Sequence, residues 1–345
     1  MRKGCDVLWS GLPNEKQKGD NLMRIFVDSP VPQSPTWSRN TILLPFLPEG
    51  RGTRRLFTAV RNALLVYRVA KYGDAVVFGD TYPLSASVYG LLHCLRSERP
   101  LIVRRDPLAP APSHSSFWKN RFRQLALSSV DFLWVYAPSV ARRYVEWYNF
   151  PPDKILVLKF HHTLTGFDFP QPTRGDYIFA GGDSQRDYAT LVKAVTGLDC
   201  AVVIATRRPP PKHLPQNVEW QPVRPEEFRK LMAGSNFVVL PLDTSRGTTS
   251  GQQSYLNAMA LGKLVIVTDT EDASYYIENG VTGILVPSGN AQELRTAIEW
   301  ALHNHAQVDQ IGKRAREIAL PMDQEWTFSR LLAFVQGELR KQSSS

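Results

Sequence analysis

Two glycines and an arginine stand where one predicted strand ends. Gly181 and Gly182 close the apolar run Tyr177–Ala180, and Arg186 follows within the same turn. Glycine has no Cβ, so a diphosphate can approach the backbone closely, and a guanidinium can hold it by two charge-assisted hydrogen bonds. Open α/β sheets bind ligands at the carboxyl ends of their strands. The pattern therefore predicts an anion site; its alternative is a plain turn beside a solvated arginine.

A second candidate lies in the stretch from Thr248 to Asp269, which is predicted to form a polar loop, a helix and a buried strand. Thr249 and Ser250 are residue types that cap helices, and Gly251 permits a tight turn. A helix that begins there directs its unpaired N–H groups and the positive end of its dipole outward, which suits a phosphate or ribose hydroxyls. The alternative is an ordinary αβ unit.

Length and composition describe the protein that must position these residues. The chain has 345 residues, which predicts two domains, and 43% of them are hydrophobic against 21% charged, which is typical of a soluble globular protein. Its three cysteines are widely spaced, which favours reduced thiols and a cytoplasmic setting. No apolar run approaches the ~20 residues of a membrane-spanning helix, and the N-terminus lacks the pattern of a signal peptide.

Strand and helix patterns alternate along the chain and predict an α/β protein with parallel, doubly wound sheets. Residues 161–176 are polar and contain proline and glycine, and we place the domain boundary there. The predicted domains are residues 1–165 and 166–325. Residues 326–345 are expected to form a helix that packs back on the N-terminal domain, with a frayed tail.

Longer motifs in the second half resemble those of the GT-B glycosyltransferases, and in particular the retaining group 1 enzymes of family 4. The resemblance is carried by SGQQSYLNAMALGKLVIVTD at 250–269 and YYIENGVTGILVPSGNAQELRTAIEWAL at 275–302, and it covers most of 177–335. It implies two Rossmann-like domains facing across a cleft. The C-terminal domain would bind the nucleotide sugar, and the N-terminal domain would bind the acceptor.

The resemblance also implies roles for individual residues. Arg186 falls where the family has a basic residue on the donor diphosphate, and Gly181 and Gly182 fall in the adjoining glycine turn. The family's two glutamates, eight positions apart, correspond to Thr249 and Asn257, so neither glutamate is present. Their replacement puts the identity of the donor sugar in question.

Other polar groups in that motif can take over from the missing glutamates. Asn257 retains one carbonyl acceptor for the ribose hydroxyls. Ser250, Gly251 and Gln252 offer a hydroxyl, a backbone N–H and an amide near the donor sugar.

On the acceptor side, the predicted strand Leu101–Val103 leads into a charged segment. The family often has a histidine after this strand, whereas here Arg105 and Asp106 follow it. Asp106 is a candidate base for the acceptor, and Arg105 is a candidate phosphate ligand. The alternative is an ion pair that caps the strand. His161 and His162 fall at the predicted hinge and are expected to be structural or exposed.

The net charge of +9 favours an anionic partner. Residues 51–71 and 117–127 are predicted to form basic amphipathic helices, which can lie on an anionic bilayer or serve as core helices with solvated arginines. No nucleic-acid-binding motif is present, and we expect no nucleic acid partner. The expected location is the cytoplasm, with peripheral contact at the cytoplasmic face of the membrane.

Together these features predict a transferase that moves a hexose-type sugar from UDP- or GDP-sugar to a polysaccharide, lipid-linked or other envelope acceptor. Two helix beginnings and Arg186 would stabilise the departing diphosphate electrostatically. Retention of the anomeric configuration is implied by the resemblance alone. The sequence has no Asp-x-Asp pair, and no metal cofactor is expected. The alternatives are a nucleotide-sugar epimerase and a degenerate GT-B domain that binds a nucleotide or membrane as a scaffold.

Overall fold

The computed structural model describes residues 23–79, 81–93, 98–106, 117–167, 175–245 and 251–344. The chain divides into two compact units. The first unit comprises Met1–Trp134, Val145–Leu156 and Ser329–Ser345, and the second comprises Val135–Tyr144 and Val157–Phe328. The main division therefore follows Leu156, whereas the sequence placed it after residue 165.

The first unit is built on a six-stranded sheet of the described residues. Its strands are β1 (Ile25–Val27), β2 (Ile42–Leu43), β3 (Ala75–Phe78), β4 (Leu101–Arg105), β5 (Phe132–Val135) and β6 (Ile155–Val157). They lie side by side in the order β2-β1-β3-β4-β5-β6. Because the chain winds to one side of β1 and then to the other, the topological switch point lies between β1 and β3.

The first unit contains α1 (Pro35–Asn40), α2 (Thr53–Val69), α3 (Pro83–His93) and α4 (Phe117–Ser128). It also contains the end of α5 (Pro138–Tyr148) and α12 (Gln324–Ser344) from Ser329 onward, whereas the start of each of these two helices belongs to the second unit. Beyond Phe328, α12 packs within the first unit, where the ring of Phe334 meets that of Phe132 edge-on at 5.0 Å between centroids. The Tyr72 hydroxyl also donates to the Gln342 carbonyl at 3.1 Å.

The second unit has its own six-stranded sheet within the described residues. The strands are β7 (Tyr177–Gly181), β8 (Ala201–Ala205), β9 (Val218–Gln221), β10 (Val238–Leu240), β11 (Val265–Thr268) and β12 (Ile284–Val286), in the order β12-β11-β10-β7-β8-β9. The helices are α6 (Tyr188–Val195), α7 (Pro225–Gly234), α8 (Gln252–Ala260), α9 (Glu271–Ser274), α10 (Ala291–His303) and α11 (His305–Ala319). The switch point of this sheet lies between β7 and β10.

Hydrophobic cores lie on both faces of the second sheet. Phe179, Leu240 and Val265 belong to one buried cluster, and their strand neighbours Ile178 and Val239 belong to the other. A parallel sheet covered on both faces needs strands that are apolar at successive positions. This requirement explains why the sequence predicts the central strands well, and the predicted α/β fold with two doubly wound parallel sheets is confirmed.

Three local features differ from what the sequence pattern indicates. Residues 28–40 are rich in proline and serine, which is typical of irregular segments, yet they contain α1, and the short strand β1 precedes them. Strand β9 was not predicted, because its sequence Val-Glu-Trp-Gln is half polar. Strand β4 continues to Arg105, so the charged segment begins inside the strand. No described helix has both the length and the hydropathy needed to cross a bilayer.

Candidate functional site

Two loops meet at the switch point of the second sheet. The loop after β7 and the loop after β10 form an antiparallel bridge between Arg186 and Leu242. Beside it, the Asp187 N–H donates to the Pro241 carbonyl at 2.9 Å. Since β7 and β10 flank the switch point, this pairing fixes the two loops to each other where α/β proteins bind ligands.

The Arg186 side chain is buried between these loops, with 5% of its surface exposed. Its Nε donates to the Gly181 carbonyl at 3.0 Å, its Nη1 to the Ser184 carbonyl at 2.7 Å and its Nη2 to the Ser254 Oγ at 3.0 Å. Burial lowers the pKa of the guanidinium from its ordinary value. An arginine nevertheless stays protonated in a protein, so the edge of the sheet contains a buried positive charge.

The two glycines of the turn make room for protein side chains. Gly182 has φ of +111°, and a Cβ added there would lie 2.8 Å from Nη2 of Arg186. A Cβ at Gly181 would overlap the ring of Phe228. The predicted close approach of a diphosphate to these glycines stays a prediction, and the structure adds a further reason for them, since they make room for the guanidinium and the phenyl ring beside them.

The two helix beginnings at this edge differ in their caps. At the start of α6, the Asp187 carboxylate accepts from the Thr190 N–H at 3.1 Å and from the Thr190 hydroxyl at 2.5 Å. At the start of α8, the N-cap is Gly251 with φ of +91°, and no described side chain caps the helix. The carboxylate of Asp187 already compensates the positive end of α6. The sequence predicted that both helix starts would bind an anion. Among the described residues, only the start of α8 has backbone N–H groups without a side-chain cap and so favours an anion there.

The remaining predicted residues of this motif have separate outcomes. Thr249 and Ser250 lie outside the described residues. Gln252 opens α8 and is partly exposed, and Ser254 joins the first turn of α8 to Arg186. Gly181, Gly182, Arg186 and the start of α8 therefore lie together at one edge of the sheet.

Asn257 lies further along α8 and faces a different segment. Its side chain is 4% exposed, its Oδ1 accepts from the Thr163 N–H at 2.8 Å, and its Nδ2 donates to the Thr163 hydroxyl at 3.1 Å. Nε2 of Gln253 donates to the same hydroxyl at 3.0 Å. In this structure the carboxamide of Asn257 ties α8 to residue 163, and its predicted contact with ribose stays a prediction.

The histidines of the same segment are buried. His161 and His162 are each 3% exposed. The ring of His161 stacks on Phe160 at 4.5 Å, and Nδ1 of His162 accepts from the Leu164 N–H at 3.2 Å. Nε2 of His162 then carries the proton and donates to the Leu320 carbonyl at 2.9 Å. Of the two roles expected for this pair, the structural one fits.

A cluster of charged and aromatic side chains beside the glycine turn was missed by the sequence analysis. Asp183 accepts from the hydroxyl of Thr206 and from the N–H and Nε of Arg207. The Tyr188 hydroxyl donates to the Gly182 carbonyl at 2.6 Å, and burial raises the pKa of this hydroxyl to about 12. The sequence contains a signal for this cluster, since Thr206 and the basic pair Arg207–Arg208 follow the buried strand β8.

At the carboxyl edge of the first sheet, Arg105 ends β4 and Asp106 follows it. Asp106 is 4% exposed, and its N–H donates to the Trp134 carbonyl at 2.8 Å, which continues the pairing between β4 and β5. The two residues lie where the sequence placed them, and their roles toward an acceptor stay predictions.

Asp28 is a second residue that the sequence analysis missed. It directly follows β1 at the switch point of the first sheet and is 4% exposed. Its Oδ1 accepts from the Ser29 hydroxyl at 2.7 Å and from the Gly79 N–H at 2.9 Å, whereas its Oδ2 has no hydrogen-bond partner among the described residues. Burial raises the pKa of this carboxyl, and the charge of Arg105 opposes the rise. An aspartate directly after a buried apolar run is the signal that points to it.

The described residues contain no group of three or more histidine, cysteine, aspartate or glutamate side chains arranged to hold a metal ion.

Comparison with known proteins identifies the class. Residues 182–304 match the family model described as glycosyl transferases group 1. No curated protein matches the chain in sequence. The matched residues include Gly182, Arg186 and the whole of α8.

Solved structures share the fold over most of the chain. A glycosyltransferase from Rickettsia africae is 15% identical, with 92% of this chain and 90% of that chain covered and a TM-score of 0.64. Sucrose-phosphate synthase from Thermosynechococcus elongatus is 17% identical over 87% and 84% of the two chains, with a TM-score of 0.64. HepE from Anabaena, solved with UDP and glucose, is 11% identical over 92% and 99%, with a TM-score of 0.66.

Residues 182–304 are thus similar to the glycosyl transferases group 1, and the chain has the fold of the GT-B glycosyltransferases. The prediction that this protein is a glycosyltransferase is confirmed.

Proposed function

We propose that this enzyme transfers a hexose-type sugar from a nucleotide-diphosphate sugar, and that the donor diphosphate binds at the start of α8 beside Arg186. The main support for the proposal is the 3.0 Å hydrogen bond from Nη2 of Arg186 to Oγ of Ser254. It places a buried positive charge against the first turn of a helix whose N-terminal N–H groups have no described side-chain cap. Both features favour an anion at the same point.

The chemistry requires stabilisation of a leaving group. The bond between the anomeric carbon and the diphosphate oxygen breaks, and negative charge develops on the departing nucleoside diphosphate. Fixed N–H groups and a buried cation stabilise such charge without reorganising during the reaction. Because Gly181, Ser184 and Ser254 already accept from the Arg186 guanidinium, we propose that Arg186 acts through its charge and by holding the two loops in place.

The donor and acceptor are also proposals. HepE was solved with UDP, with UDP-glucose and with UDP and glucose, and TarM was solved with UDP and α-GlcNAc-glycerol. These complexes support a UDP-sugar as the donor here, with GDP-sugar as the alternative. We propose a polysaccharide, lipid-linked or other envelope glycan as the acceptor, retention of configuration, and no metal requirement, since cationic protein groups face the leaving diphosphate. Within this proposal, Gln252 and Asn257 contact the donor sugar and ribose, and Asp106 and Arg105 serve the acceptor.

A binding experiment with a matched pair of variants tests the donor site. Wild-type protein is titrated with UDP, GDP and dTDP and with their sugars, and binding is read by calorimetry and by the shift in melting temperature. We expect one nucleotide series to bind, and Arg186→Lys to weaken binding at least about tenfold, because the lysine keeps the charge but loses the planar fork. Arg207→Lys is the control, since the Arg207 side chain is 81% exposed, and it should bind as wild type does.

Turnover assays separate the rival functions. Incubation with the bound donor and an envelope glycan extract should release nucleoside diphosphate, with and without a metal chelator. Conversion of the donor to its epimer without acceptor would indicate an epimerase, and tight binding without turnover would indicate a scaffold. Absence of binding to every nucleotide would refute the proposed donor site.

A further inference from the structure

Helix α2 in the first unit exposes its large apolar side chains, whereas its buried face mixes small or branched apolar residues with polar ones. The buried residues are Thr58, Ala59, Asn62, Ala63 and Val66, and Asn62 is fully buried. The outward face exposes large apolar side chains: Leu56 (58%), Phe57 (73%), Val60 (37%) and Leu64 (39%). The helix predicted over residues 51–71 is present with a buried face and exposed arginines, and it also exposes an apolar stripe that the sequence pattern did not predict.

Hydrogen bonds of Asn62 on the buried face fix the orientation of α2. Oδ1 of Asn62 accepts from the Leu47 N–H at 3.1 Å, and Nδ2 of Asn62 donates to the Leu47 carbonyl at 2.9 Å and to the Ser85 hydroxyl at 3.3 Å. Rotating the helix to bury Phe57 would leave these buried groups unpaired, which is costly. The apolar face is thus held outward by hydrogen bonds on the opposite face.

The exposed residues form one continuous stripe. Leu56, Val60 and Leu64 are spaced four residues apart, and Phe57 adjoins Leu56, so they line one side of the helix over more than two turns. Single exposed apolar residues are ordinary on protein surfaces, but a contiguous stripe of large ones marks an interaction surface.

The charges around the stripe indicate its partner. Residues 53–69 contain four arginines, Arg54, Arg55, Arg61 and Arg68, and no acidic residue. Arginines beside large apolar side chains match the interface of an anionic bilayer, where lipid phosphates meet acyl chains. A purely apolar partner would give the arginines no counter-charge, and a soluble anionic ligand would leave the apolar stripe exposed to water.

We propose that α2 docks on the surface of an anionic lipid bilayer, with Leu56, Phe57, Val60 and Leu64 entering the headgroup boundary and the arginines pairing with lipid phosphates. The helix would lie parallel to the bilayer surface, since it is amphipathic and lacks the length and hydropathy to cross the bilayer. This surface belongs to the first unit, and the inference is independent of the donor site proposed on the second.

Flotation with lipid vesicles tests the inference. The full chain is mixed with vesicles of phosphatidylcholine alone or with about one-third phosphatidylglycerol. We expect wild type to float with the anionic vesicles and to detach as salt is raised. The double variant Leu56→Ser/Phe57→Ser should lose at least about tenfold in partitioning, since each large apolar side chain contributes strongly to burial. Arg54→Gln/Arg61→Gln should reduce binding only to the anionic vesicles.

Matched controls come from the second unit. Ile318 is 48% exposed, and Ile318→Ser should float as wild type does. Lys313→Gln/Arg314→Gln should do the same. Unchanged melting temperature and UDP affinity in the double variant exclude misfolding and separate this result from the donor proposal. Failure of wild type to float, equal flotation of the double variant, or a wild-type dimer that the double variant converts to a monomer would overturn the inference.

Discussion

Both sheets bury charged side chains at their carboxyl edges, and the surroundings of Arg186 in the second unit differ from those of Asp28 in the first. Arg186 in the second unit donates to two carbonyls and one hydroxyl. Asp28 in the first unit accepts on Oδ1, whereas its Oδ2 has no partner among the described residues. A buried charge with satisfied partners stabilises the loops that hold it, and one with an unpaired oxygen costs stability. Hydrogen bonds therefore hold the loops around Arg186 in the second unit, whereas Asp28 in the first unit retains unused hydrogen-bonding capacity at a switch point.

The largest effect is expected from Arg186→Ala. Removing the guanidinium leaves the carbonyl of the buried residue Gly181 without its donor, removes the donor to the Ser184 carbonyl and frees the loop at the switch point. We expect the free energy of unfolding to fall by about 3–5 kcal/mol, as measured by urea denaturation. Arg207→Ala is the control: it removes an exposed ion pair with Asp183 and should cost less than about 1 kcal/mol. Equal losses in the two variants would contradict the role given to burial.

A smaller effect is expected at the glycine turn. Gly182 and Gly197 both have positive φ, but only a Cβ at Gly182 would meet the Arg186 guanidinium. Gly197→Ala should cost about 1 kcal/mol from backbone strain alone. Gly182→Ala should cost about 2–3 kcal/mol, because the methyl group also displaces the guanidinium, and it should weaken nucleotide binding. Similar costs measured by denaturation would show that the turn tolerates a side chain.

The smallest effect is expected from Asp28→Asn, which should raise the free energy of unfolding, whereas the substitutions above lower it. Burial raises the pKa of Asp28 in the folded chain, so the folded state keeps the proton to a higher pH than the unfolded state does. The contribution of Asp28 to the free energy of unfolding is fully present below its pKa in the unfolded chain, about 4. That contribution is lost as the pH rises through its pKa in the folded chain.

Since asparagine does not titrate, Asp28→Asn should match wild type at acid pH and exceed it by about 1 kcal/mol near neutral pH. Urea denaturation at several pH values checks this difference. A difference that shrinks as the pH rises would contradict the assigned direction of the pKa shift.

The sequence predicts the fold well because parallel strands covered on both faces must be apolar. It also predicts that Arg186 and the start of α8 lie at one edge, since both follow strands of one sheet. It does not predict that Arg186 is buried, because that depends on Ser254, which is distant in sequence. The pairing of Asn257 with Thr163 and the outward face of α2 also depend on distant partners. Asp28 was missed because β1 has only three residues.

The most direct test of the donor site is UDP binding by Ser254→Asp, measured by calorimetry beside Ser254→Asn. An aspartate there would place a carboxylate in the first turn of α8, next to the Arg186 guanidinium, where a helix favours negative charge. We expect Ser254→Asp to be at least as stable as wild type yet to bind UDP at least about tenfold more weakly, because its carboxylate takes the place of the diphosphate. Ser254→Asn should stay within about threefold of wild type. Wild-type affinity in Ser254→Asp would show that the donor diphosphate does not bind at the start of α8.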